Sequence, residues 1–107
     1  AGAIVPVASD PTLADGLAGN IAAGSITFPL VQQNIERVET VPEGAITEAM
    51  LTFLDRHHLI VEGSGAVGLA ALRLGRLADA PGPLVLIVSG SNVATATLSR
   101  LLAERQR

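Results

Sequence analysis

The chain has 107 residues, 49% of them apolar and only 16% charged, with a net charge of −3. Its basic residues are scattered rather than clustered, which excludes a nucleic-acid groove. The lack of cysteine excludes a disulfide framework, a zinc-thiolate site and a thiolate nucleophile. All seven basic residues are arginine, so no lysine amine is available for covalent chemistry. So apolar a composition in so short a chain implies surfaces that bury against the rest of a larger protein or a second copy. The longest apolar stretches are too short to span a bilayer and the N-terminus lacks the basic start of a signal peptide, so a soluble, cytoplasmic protein is expected.

Residues 1–20 mix Ala3-Ile4-Val5-Pro6-Val7 with Asp10-Pro11, Asp15-Gly16 and Gly19-Asn20. They read as extended chain and turns with one helical turn, in a chain that begins as if cut from something longer. From Thr27 to Glu36, the spacing of Phe28, Leu30, Val31 and Ile35 predicts a helix, with Pro29 tolerated in its first turn. Arg37 to Val41 alternates and is β-branched, predicting a short strand that stops at Pro42. Pro42 and Glu43 suit the first turn of a second helix, in which Ile46, Ala49, Met50, Phe53 and Leu54 share one face.

His57 and His58 are neighbours whose side chains diverge by about 100° on a helix, so they cannot share a metal as an i, i+4 pair can. They are expected to close the C-terminal end of that second helix, and no metal site is expected. Leu59-Ile60-Val61 predicts another short strand. Ala66 to Leu77 predicts a third helix, in which Gly68, Ala70 and Ala71 permit close packing. After the turn Ala80-Pro81-Gly82-Pro83, residues 84–88 are continuously apolar and predict a strand covered on both faces. Ala94 to Gln106 predicts a closing helix with Arg100, Arg105 and Arg107 toward its C-terminal end. The alternation of strand and helix predicts an α/β fold, a partial layered sheet with packed helices.

Ser89-Gly90-Ser91-Asn92 follows the last predicted strand at once, and ligands collect at the carboxyl ends of such strands. Ser89 is therefore a candidate ligand contact, with Gly90 supplying flexibility beside it. Glu62 follows Ile60-Val61, and a carboxylate there must be solvated in a cleft or paired with an arginine, because burying it alone is costly. Gly63-Ser64-Gly65-Ala66-Val67-Gly68 satisfies G-x-G-x-x-G, which would place a pyrophosphate at a helix N-terminus. Two features oppose that assignment. Glu62 adds a negative charge beside the phosphate, and Asp79, the acid about 20 residues on that would bind a ribose, falls in a turn. The alternative to a dinucleotide-binding βαβ unit is a tight structural turn.

Taken together, Thr12 to Ala18, Thr27-Phe28-Pro29-Leu30, Asp55 to Ala66 and Val88-Ser89-Gly90-Ser91-Asn92 resemble, in order, the C-terminal part of the threonine/serine dehydratase family. These are pyridoxal-phosphate enzymes of the tryptophan-synthase-β fold (fold type II), with serine racemase as a close relative. The resemblance implies that residues 1–107 are an incomplete C-terminal part of the catalytic domain. It implies that Ser89 bonds the pyridine nitrogen of the cofactor, that the Gly16 backbone lies against the ring, and that Glu62 and Gly90 belong to the same pocket. Ser91 stands where the family usually has glycine, in a Ser-Gly-Gly-Asn pattern.

The implied reaction is β-elimination from a hydroxy amino acid to a 2-oxo acid and ammonia. The family's lysine, phosphate-gripping loop and metal-binding carboxylates lie upstream of these motifs, so no catalytic residue is expected within the chain, which should be inert alone. A homodimer, or association with the missing N-terminal part, is the expected assembly. Two alternatives stay open: the dinucleotide-binding unit and a domain that only oligomerises.

Overall fold

The computed structural model describes residues 2–106. Four helices carry the regular structure among these residues: α1 (Thr27–Asn34), α2 (Glu43–His57), α3 (Gly63–Arg73) and α4 (Thr95–Arg105), preceded by a 3-10 turn at Asp15–Leu17. Arg107, expected near the end of the last helix, lies outside the described residues.

Helix α2 forms where its apolar period and its ends agree. Pro42 is extended (φ −75°, ψ 155°) and opens the helix, and Glu43 sits in the first turn, where a carboxylate suits the dipole. Ile46, Ala49, Met50, Leu51 and Phe53 are buried along its inner side. At the other end His58 turns left-handed (φ 55°). Its N–H donates to the Leu54 carbonyl, and the Leu59 N–H reaches back to Phe53, which satisfies the last carbonyls and stops the helix. The histidine pair thus closes α2, as its position at the end of the apolar period predicts.

Helix α3 begins three residues earlier than the sequence suggests, taking the glycines Gly63 and Gly65 into its first turn. Glu62 is extended at its N-cap, and its carbonyl accepts the Ala66 N–H at 3.1 Å. α2 and α3 form the main packing pair. Ala49, Ala66 and Ala70, each fully buried, let the two backbones approach, and Ile46, Met50, Val61 and Leu101 fill the space around them. α4 docks on α2 through Leu101, which is 1% exposed, and through an ion pair between Arg105 and Asp55.

The expected sheet is not formed. Among the described residues no β-strand is present, and the three predicted runs, 37–41, 59–61 and 84–88, are irregular. A strand exists only when a neighbour completes its backbone ladder, and here the one backbone hydrogen bond joining the chain near the second run to the chain near the third, among the described residues, lies just beyond both, where the Glu62 N–H donates to the Gly90 carbonyl at 3.1 Å. The last run keeps the two-residue alternation of a strand nonetheless. Leu86 packs on Gly68 of α3, while Val85 and Ile87 point away and are 84% and 80% exposed. Within this chain only Leu86 is partly covered, with Leu84 and Val88 on the same face 44% and 42% exposed, where the composition predicts cover on both faces.

The open packing shows in the surface as well. The chain exposes 7727 Å², against about 5,600 Å² for a compact monomer of this mass. Its radius of gyration is 15.3 Å, against about 13 Å for a closed domain of this length. Ile26, Leu30, Val31, Ile35 and Val38 all lie open to solvent.

Arg37 clips the segment after α1 to the turn after α3. Its guanidinium donates to both carboxylate oxygens of Asp79 at 2.6 Å and to the Arg76 carbonyl at 2.8 Å, and it faces Glu39 at 3.1 Å. The Arg37 hydrogen bond draws the Asp79 carboxyl from its ordinary 3.8 down to about 2. A depressed carboxyl adds stability that is full above its unfolded value and lost as pH falls through the folded one. A carbon-detected NMR titration should therefore find Asp79 still ionised at pH 3, with the clip failing only near pH 2; a midpoint near 4 would contradict the bidentate contact.

Candidate functional site

Three pieces of chain meet at the N-terminal end of α3: the 3-10 turn with its approach Thr12-Leu13-Ala14, the first turn of α3 itself, and the loop Ser89 to Asn92. The approach is pinned by Glu43, whose carboxylate accepts from the Thr12 hydroxyl and, at 2.8 Å, from the Leu13 N–H. This brings the backbone of Leu13 against Gly63. A Cβ on Gly63 would stand 2.0 Å from the Leu13 carbonyl oxygen.

That contact decides between the two readings of the glycine motif. A carbonyl oxygen, not an anion-sized opening, lies where Gly63 lacks its side chain, and a carbonyl dipole repels phosphate. Gly65 is covered likewise, with Val61 Cγ1 at 3.0 Å and Gly90 O and N at 3.3 Å and 3.5 Å from its absent Cβ, and Gly68 rests on Leu86. Asp79 is engaged by Arg37. The glycines are packing residues.

Of the predicted site residues, Glu62 and Gly90 are in direct contact. The Glu62 carboxylate lies over Gly90, so that a Cβ there would stand 2.3 Å from Oε1, and Oε2 accepts the Asn92 N–H at 3.0 Å. An ion pair with an arginine, one of the two alternatives open for Glu62, is absent among the described residues; backbone N–H takes that place. Gly16 sits over Ser64, whose Oγ is 2.9 Å from the position of its absent Cβ. Ser89 adjoins Gly90 and is exposed at the end of the 84–88 run.

A cleft of about 360 Å³ opens beside these residues, lined by Asp15, Glu62, Gly63, Asn92 and Thr97 among others. Ser89 and Gly16 do not line it. No three His, Asp or Glu side chains converge as a metal site among the described residues.

Sequence reasoning missed two participants. Asn92 contributes its backbone N–H to Glu62 and a wall of the cleft; its place in the loop motif was visible, its partner was not. The Ser64 hydroxyl is buried without a hydrogen-bond partner, and no pattern in the chain marks it. Gly16→Ala should crowd that hydroxyl and cost about 1–3 kcal/mol. The double variant Gly16→Ala/Ser64→Ala should recover most of the loss in urea unfolding, since it removes both the clash and an unsatisfied oxygen.

A family model described as pyridoxal-phosphate dependent enzyme matches residues 1–90. An L-threonine ammonia-lyase of Geobacter sulfurreducens is 42% identical over 98 residues, covering 92% of this chain and 24% of that protein. The structure of maize serine racemase superposes with a TM-score of 0.79 at 31% identity, over 98% of this chain and 33% of that one. The crystal structure of a T.th. threonine deaminase superposes with a TM-score of 0.74 at 35% identity, over 87% of this chain and 34% of that one. The chain thus spans about a quarter to a third of the length of the relatives it matches. No described helix is long and apolar enough to cross a membrane.

Proposed function

The chain belongs to the pyridoxal-phosphate dependent enzyme family, and from that premise we propose that residues 1–107 form part of the large domain of a fold type II ammonia-lyase acting on a threonine- or serine-like hydroxy amino acid. Within it, Ser89 supplies the hydrogen bond to the pyridine nitrogen of the cofactor and Gly16 flanks the ring. The observation that carries this reading is the placement of Ser89. Its hydroxyl is exposed at the end of an apolar run, beside a glycine, and free of any partner among the described residues.

Those residues fit pyridoxal phosphate in their chemistry. Ser89 is exposed and offers a donor that is neutral at every working pH, while the bare Cα atoms of Gly90 and Gly16 admit the Glu62 carboxylate and the Ser64 hydroxyl that pack beside them. When bound, the cofactor supplies an electron sink for the bond broken at the amino-acid α-carbon. A serine hydroxyl donates a hydrogen bond without giving up its proton, so it leaves a ring nitrogen neutral, whereas a carboxylate in the same place would hold it protonated. A neutral ring is the weaker sink, which suits elimination of a β-hydroxyl better than chemistry that needs a long-lived carbanion. The chain has no lysine, the residue that takes the α-proton in the dehydratase family it resembles. Proton abstraction therefore falls to the part of the enzyme outside this chain, and the chain alone is inert.

The apolar surface exposed by α1 and by the 84–88 run is covered, on this reading, by the rest of that enzyme or by a second copy. The test uses the complete enzyme. Ser89→Ala should weaken cofactor binding about three- to tenfold, the worth of one neutral hydrogen bond, and lower elimination along with it. Unchanged affinity and unchanged elimination in Ser89→Ala would overturn the assignment.

A further inference from the structure

We propose that Glu62 is a positioning residue, acting on the cofactor only through the loop that carries Ser89. The inference rests on the reading of Ser89 given above. It assigns to Glu62 a role other than direct contact with the ring.

One residue holds this loop by both its backbone and its side chain. The Glu62 N–H donates to the Gly90 carbonyl at 3.1 Å, and the Glu62 Oε2 accepts the Asn92 N–H at 3.0 Å. The loop is thereby fixed on either side of Ser91, immediately after Ser89. The remaining carboxylate oxygen, Oε1, lies over the Cα of Gly90, in the space that any other residue's Cβ would occupy. From below, Gly65 of α3 receives the peptide group of Gly90.

Ser89, by contrast, has no side-chain bond among the described residues and is exposed. Nothing steers its hydroxyl except the backbone to which it is attached, and that backbone is anchored at the next residue by Glu62. Both Glu62 oxygens are turned to the loop. A carboxylate so engaged needs no cation, and none of the described ion pairs includes it. The glutamate length matters because Oε2 must span from the N-cap of α3 to the amide of Asn92, a reach that aspartate lacks by one methylene.

The proposal separates reach from charge, and the experiment does the same. In the complete enzyme, cofactor dissociation constants are measured by fluorescence quenching for wild type, Ser89→Ala, Glu62→Gln, Glu62→Asp, Glu62→Ala and Ser89→Ala/Glu62→Ala. Glu62→Ala and Glu62→Asp should lose about the same three- to tenfold as Ser89→Ala. Glu62→Gln, which keeps an acceptor at full reach, should recover most of that affinity. The double variant should be no weaker than Ser89→Ala, because the two residues act through one hydrogen bond.

Additive losses in the double variant would overturn the proposal, since Glu62 would then contribute independently of Ser89. So would full affinity in Glu62→Asp with a loss in Glu62→Gln, which would make charge the operative property. If Ser89→Ala binds as wild type while the Glu62 variants do not, both this inference and the Ser89 reading fail. If only Ser89→Ala loses affinity, the inference alone fails. Should Glu62→Ala not fold, the aspartate and glutamine variants decide the matter by themselves.

Discussion

Gly63→Ala is expected to destabilise the chain by about 3 kcal/mol or more, near the upper end of overpacking effects. The added Cβ would stand 2.0 Å from the Leu13 oxygen, 2.3 Å from its carbonyl carbon and 2.9 Å from the Ala14 nitrogen. All three are backbone atoms. They cannot rotate aside as a side chain can, and the segment that carries them is held by Glu43 through the Leu13 N–H at 2.8 Å. Either α3 shifts or the Thr12 to Ala14 approach detaches, and in both cases the floor of the cleft is lost. Alanine's better helix propensity, worth about 1 kcal/mol, is too small to compensate. Gly68→Ala is the control. Its Cβ would meet only the Leu86 side chain, Cδ2 at 3.5 Å and Cβ at 3.8 Å, both ordinary contacts, so that variant should be neutral or stabilised by up to about 1 kcal/mol. Urea unfolding of the two variants side by side checks the contrast, and equal midpoints would contradict the packing described for Gly63.

Leu101→Ala should cost about 2–5 kcal/mol, the range for a buried leucine whose cavity only partly collapses. Leu101 is 1% exposed and carries the docking of α4 on α2, where Phe53, Met50 and Leu51 line the same core. Stability of this size is a large part of what a small domain possesses. The effect should also be felt in the loop, because α4 begins at Thr95, directly after Ser89 to Ala94. Hydrogen exchange at Asn92 should accelerate in Leu101→Ala along with that of α4. Loss of protection in α4 with Asn92 unaffected would show that Glu62 holds the loop without help from the helix.

The helices were legible because their period, starts and stops all lie within the chain. α2 announces itself by Pro42, Glu43, the spacing of Ile46 to Phe53 and the histidine pair; the structure differs only in placing Pro42 at the N-cap and in burying Leu51 while Leu54 stays half-buried. The strands were only half legible. Residues 84–88 carry a strand's composition and even its alternation, but a ladder needs a second backbone, and the described residues bring none alongside. Composition thus reported the environment that the run demands rather than the one this chain provides. The onset of α3 was placed late because glycines disfavour helix interiors. The reason they are present, the backbone of Leu13 against Gly63 and of Gly90 against Gly65, is a tertiary fact with no local signature.

At the site, the loop Ser89 to Asn92 could be singled out from its position after an apolar run, and Glu62 from the cost of leaving a carboxylate there unsatisfied. Their contact could not be read from the chain, since they are far apart in sequence and neither carries a pattern that points to the other. From charge alone, an arginine partner and a solvated place in a cleft are equally open for Glu62. The structure meets the same need with the backbone N–H of Asn92, which no charge count reveals.

The most direct test of the account is nitrogen NMR of the complete enzyme loaded with pyridoxal phosphate labelled at the ring nitrogen. A neutral, hydrogen-bonded pyridine is predicted in wild type, with a shift toward the free pyridine position in Ser89→Ala and protonation of the ring in Ser89→Asp. A ring nitrogen already protonated in wild type, or one whose resonance ignores the residue at position 89, would contradict it.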